Sequence, residues 1–64
     1  MEKELKLSEK VLYYMVKKDI SLKQFCEIVG ISQSFAYAIL QDRKNPSKRM
    51  KIKIYLKTNQ ELVL

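Results

Sequence analysis

This chain of 64 residues contains no histidine and no tryptophan, one cysteine, one glycine and one proline. Without histidine it lacks the commonest general base and the commonest metal ligand, which sets enzyme chemistry aside. A single cysteine, Cys26, excludes an intramolecular disulfide and reads as a small buried hydrophobe. No apolar run approaches the ~18 residues of a membrane span, and no secretory signal pattern is seen, so the cytoplasm is the expected compartment. One proline and one glycine in a chain that is 47% hydrophobic indicate a packed helical domain rather than a disordered one. At this length it is a single domain, residues 1–64, whose core is small.

Acidic residues are also missing where they would matter. Residues 1–42 hold six basic and six acidic side chains, which cancel. Residues 43–57 hold Arg43, Lys44, Lys48, Arg49, Lys51, Lys53 and Lys57 and no acid; Glu61 then brings the net charge to +6, so all of the excess comes from one quarter of the chain. That concentration suits a polyanion-binding patch; a solvated lysine face is the plainer reading.

The helices are read from their caps. Ser8 is expected to cap a first helix ending near Lys18, with Leu7 and Leu12 as a staple and Glu9 at the positive end of its dipole. Leu12, Met15 and Val16 share its inner face, flanked by Val11. Ser21-Leu22-Lys23-Gln24 is a capping box, stapled by Ile20 and Phe25, and opens a helix over about 22–29. Gly30 follows where a left-handed C-terminal residue is wanted. Ser32 then caps a third helix, with Phe35, Ala36, Ile39 and Leu40 as its apolar stripe.

Asp42 to Pro46 reads as a loop. Beyond it, Met50, Ile52, Ile54 and Leu56 alternate with polar residues as in a strand, which would make a C-terminal β-hairpin wing. A cap at Ser47 and a stripe of Ile52, Tyr55 and Leu56 beside Met50 favour a helix instead.

Around Gly30 the spacing is that of two helices crossing steeply through a tight turn. Small Cys26 lies four residues before it, Ile31 one after, Ala36 six after and Ile39 nine after. The stretch "SLKQFCEIVGISQSFAYAILQDRKNPS" resembles the helix-turn-helix of the Cro and lambda-repressor type proteins. The tail "RMKIKIYLKTNQELVL" is similar to that of phage Cro-like proteins, with Asn59-Gln60 in place of glycines.

The resemblance implies an all-α, compact four- to five-helix bundle of lambda-repressor-like fold, with its helix-turn-helix at about 21–41. It implies a transcriptional regulator of a phage or mobile element whose third helix, 32–41, enters the major groove of double-stranded DNA. The matching base readers are Gln33, Ser34, Tyr37 and Gln41, with Gln33 suited to adenine N6 and N7. Ala38 falls where many relatives carry a polar reader, and it offers only a methyl contact to thymine. The phosphate contacts fall on Ser21, Lys23, Arg43, Lys44, Asn45, Ser47, Lys48 and Arg49.

No cofactor, metal, membrane or small-molecule ligand is implied. A homodimer is expected, formed through Leu62-Val63-Leu64 or exposed residues of the first helix. Two other functions share the fold: an antirepressor that docks on a phage repressor, and a recombination directionality factor that helps an integrase by bending DNA.

Overall fold

The computed structural model describes residues 5–64 and is all-helical there, with α1 (Leu7–Lys18), α2 (Leu22–Val29), α3 (Gln33–Leu40) and α4 (Lys48–Lys57). No strand occurs among the described residues, so the C-terminal segment is a helix and the hairpin wing is not formed. Residues 62–64 trail back over the helices instead.

Three of the four helix starts follow the serine rule. The hydroxyls of Ser21, Ser32 and Ser47 accept from the backbone N–H of Gln24 at 3.2 Å, Phe35 at 3.1 Å and Met50 at 3.2 Å. At α2 the box is reciprocal, because Gln24 Oε1 accepts from the Ser21 N–H at 2.8 Å. The first helix departs from the rule. It begins two residues earlier than a Ser8 cap would allow, and the Lys6 N–H donates to Glu9 Oε1 at 2.8 Å. A carboxylate reaching back satisfies the first turn without a hydroxyl at the cap, and Ser8 is buried within the helix.

The helix ends use the left-handed region four times over. Gly30 takes it at φ +73° with its N–H on Cys26 O at 2.7 Å. Asp19, Asp42 and the pair Asn59–Gln60 do so without glycine's freedom. At the end of α4, Gln60 N–H donates to Tyr55 O at 2.7 Å and Asn59 N–H to Leu56 O at 3.3 Å, closing the last carbonyls.

The third helix packs on both α1 and α2, while α4 rests on α2. The core gathers Val11, Tyr14 and Met15 of α1, Phe25 and Val29 of α2, Ile39 of α3, Ile54 of α4 and Leu62 of the tail. Tyr14 and Phe25 meet edge to face, ring centres 6.0 Å apart. Burying each of the larger side chains contributes about 1.5–3 kcal/mol, so a core this small depends on every member. Leu62 is therefore a core residue and is not free to join a dimer surface.

Two apolar stripes face differently from the sequence expectation. On α1, Tyr14 replaces Leu12 and Val16 on the inner face, and the latter two are exposed. On α4, Ile54 is fully buried at 0% exposure, while Ile52 and Leu56 stand out at 53% and 59%. The reason lies one turn on, at Thr58. Its buried hydroxyl donates to Ile54 O at 2.8 Å and accepts from the Leu62 N–H at 3.1 Å. That link draws the face of α4 carrying Ile54 and Thr58 onto the tail and the core. Glu61 adds a second tie, an ion pair of 2.8 Å to Lys18 that raises the lysine's affinity for its proton.

Candidate nucleic-acid interface

The orientation of α3 follows from which of its residues must be inside. Ala36 and Ile39 are buried, and Phe35 and Leu40 are half-buried against the core. Residues 33, 37 and 41, spaced by four, then share the opposite face, and Ser34 lies at its edge. Gln33, Ser34, Tyr37 and Gln41 are all exposed, Tyr37 at 54%. The four expected base readers thus form one uncharged polar stripe, with no acidic or basic side chain in the helix.

Ala38 departs from the expectation, because it is buried at 8% exposure rather than presented to a ligand. Its carbonyl accepts from the N–H of Arg43 at 2.8 Å and of Lys44 at 3.3 Å, so the chain reverses directly over it. Asp42, left-handed at φ +60°, makes that reversal, and Pro46 is buried below the loop. Small residues at this point leave a cleft of about 620 Å3 between α3 and the loop, lined by Ser32, Ser34, Phe35, Ala38, Arg43 and Lys44. A longer side chain at 38 would fill it. Alanine here lines the cleft.

A second basic hollow, of about 320 Å3, lies between Ser47, Arg49, Met50 and Lys53. Lys53 joins it to the turn: its Nζ stands 3.7 Å from the point where a β-carbon on Gly30 would lie. Helix α2 has no basic residue in its own last turn, so the Lys53 ammonium supplies the cation that the negative end of the helix favours. Sequence reading left Lys53 out of the site. The signal that could have found it is its place four residues after Arg49 on one helical face.

The remaining residues divide. Ser21 and Lys23 are exposed at the start of α2, and Asn45 is exposed in the basic loop, outside both hollows. The cap serines keep a hydroxyl proton to donate, since each oxygen is used as an acceptor by the backbone. Lys48 separates from its expected partners, lying with Lys51 and Ile52 along an apolar groove that reaches Val63 and Leu64. One helical step sends Arg49 and Lys48 to different sides of α4.

Cys26 is buried with its Sγ 3.6 Å from Ser32 O, and burial, with Glu27 nearby, pushes its pKa up and keeps the thiol protonated. Among the described residues no group of histidine, cysteine and acidic side chains could hold a metal ion, and no helix is long and apolar enough to cross a membrane. Compared with known proteins, the chain matches no family model, no curated protein and no solved structure.

Proposed function

We propose that this chain is a helix-turn-helix DNA-binding regulator of the Cro and repressor type, reading the major groove of double-stranded DNA with α3. The observation that carries the reading is the joining of an uncharged polar stripe on α3 to two basic hollows. One runs along the flank of the helix and the other stands beside the turn that precedes it.

Each part has a distinct task. Phosphates are held by charge and carry no sequence information, which suits Arg43, Lys44, Arg49 and Lys53 with the cap serines. Base edges require neutral donors and acceptors at fixed positions. Gln33 in the first turn of α3 can pair in bidentate fashion with adenine, and Tyr37 one turn later can lay its ring on a thymine methyl. Ser34 and Gln41 extend the stripe at either end. The regulator acts by occupancy: bound at an operator of a phage or mobile element, it excludes polymerase or a rival repressor. One copy has few contacts, so two copies on a paired half-site are needed for useful affinity.

A salt-titrated binding experiment on DNA flanking the gene tests this. With about five phosphates neutralised, the log-log slope is near −4.5, and a slope near zero overturns the reading in favour of a protein-docking antirepressor. Gln33→Ala should reduce the preference for operator over random DNA by about 1–3 kcal/mol, whereas Arg43→Ala weakens both equally. Equal losses from Gln33→Ala on the two DNAs would remove Gln33 from the reading stripe.

A further inference from the structure

Away from both basic hollows lies a surface of different composition. Two grooves, each about 300 Å3, meet at Val63 and share no residue with the hollows beside α3 and its turn. One is floored by Leu5, Tyr13 and Val63 beside α1, the other by Ile52, Tyr55, Val63 and Leu64 beside α4. Ile52 and Val63 are 53% and 63% exposed, so the floor is shallow and open.

Charge selects the occupant. Lys10 and Lys17 line the first groove and Lys48 and Lys51 the second, while the one acid among the described lining residues, Glu61, is already held by Lys18 at 2.8 Å. None of those four lysines has an ion pair among the described residues. Lys10 and Lys51 are half-buried, which lays their methylene stems on apolar neighbours and keeps the ammonium groups at the edge. An apolar floor edged by four cations matches a surface that is apolar along its centre and acidic along its sides.

We propose that these grooves dock an acidic amphipathic helix of another protein. The apolar anchors of such a helix, spaced by three and four residues, lie in the grooves on either side of Val63, and its flanking carboxylates meet the lysines. Other occupants lack one of these features. A DNA backbone would pair with the lysines and leave Ile52 and Val63 in water. A second copy of this chain, with its net charge of +6, would set lysines against lysines. An extended peptide finds no sheet edge to join among the described residues. A small amphiphilic anion would leave most of so open a floor uncovered.

The geometry of this site is independent of the DNA-binding reading; its consequence is not. Because the grooves and the basic hollows are separate, a chain bound to DNA keeps the grooves free and links its DNA site to a second protein.

Fluorescence anisotropy with the full chain and a labelled synthetic helix tests the proposal. The probe is about 18 residues long, roughly 27 Å of helix, with leucines on one face and glutamates on both flanks. Binding is expected, with affinity falling as salt rises, because salt screens the attraction between opposite charges. A scrambled peptide of the same composition should bind about tenfold more weakly, and Lys51→Glu and Ile52→Asp should each weaken the helix by about tenfold. Acids near the start of α4 suit its dipole, so circular dichroism should keep the wild-type helical content. Lys57→Glu, the same change in net charge outside both grooves, should leave the affinity within about twofold. No binding at about 1 mM peptide, equal binding of the scrambled peptide, or an equal loss from Lys57→Glu overturns the proposal. So does a dimer, seen by sedimentation, that Ile52→Asp breaks and the peptide does not disturb, which assigns the floor to a second copy. Tighter binding to vesicles of anionic phospholipid, abolished by Ile52→Asp, overturns it in favour of a membrane surface. A short DNA duplex separates the two readings. Duplex and peptide should bind together; a duplex that displaces the peptide assigns the lysines to DNA and overturns the proposal. Peptide bound by a chain that binds no duplex leaves the docking site standing while the DNA reading fails.

Discussion

Helices α3 and α4 start in the same way and end with opposite surfaces. Both are capped by a serine that accepts from the third backbone N–H, at Ser32 and Ser47. Helix α3 has eight residues, none charged, and buries three of them, whereas α4 has five basic side chains in ten residues and fully buries only Ile54. On the proposed DNA-binding reading, a helix that presents neutral hydrogen-bonding groups in a fixed register needs several anchors, and a helix that offers charge to phosphates tolerates a looser seat, because a phosphate contact is less demanding in direction than a base edge.

The contrast is most easily broken at the single anchor of α4. Ile54→Ala should cost about 2–5 kcal/mol, measured by urea unfolding, and should detach α4 and the tail together. Helical content lost only from that end, seen by hydrogen exchange, would mark the loss as local to α4. A smaller effect is expected at the turn that orients α3. Gly30→Ala meets only ordinary contact with the Lys53 side chain at 3.7 Å, so its cost is the left-handed backbone, about 1–2 kcal/mol.

Smaller still is a gain at the end of α4. Gln60 holds φ +65° with a full side chain, and Gln60→Gly should raise stability by about 0.5–1 kcal/mol in the same unfolding experiment. The smallest change sharpens the comparison by its absence. Ile52→Ala, on the outward face two residues before Ile54, should alter monomer stability by less than about 0.5 kcal/mol. An Ile52→Ala loss as large as that of Ile54→Ala would mean that α4 packs through its other face.

Much of the backbone was legible from local signals. The capping box at Ser21, the caps at Ser32 and Ser47 and the left-handed Gly30 each depend on hydrogen bonds spanning three or four residues, and each formed as expected. The span 22–29 followed from them, and the third helix, expected over 32–41, runs over 33–40. What misled was the choice of face. Leu12 and Val16 share a helical face as plausibly as Tyr14 and Val11, and the alternating apolar residues of α4 satisfy a strand pattern and more than one helical stripe. Ser8 looked like a cap because the alternative, Glu9 reaching back to Lys6, gives no hydroxyl at the start.

The exposed face of α3 was legible to the same depth. Gln33, Ser34, Tyr37 and Gln41 share a face because spacing by three and four requires it. Ala38 could not be placed without knowing that the loop turns back over its carbonyl. Lys48 and Lys53 could not be sorted without knowing which side of α4 meets the turn.

By itself, then, the sequence determined where α2 begins and ends, where α3 and α4 begin, and where the positive charge is concentrated, since these depend on neighbours a few residues away. Only the tertiary structure decided that Ile54 goes inward and Ile52 outward, that Lys53 reaches the Gly30 turn, and that Val63 is left standing between two grooves. Those outcomes depend on contacts between distant segments, Gly30 with Lys53 and Lys18 with Glu61, which no local pattern encodes.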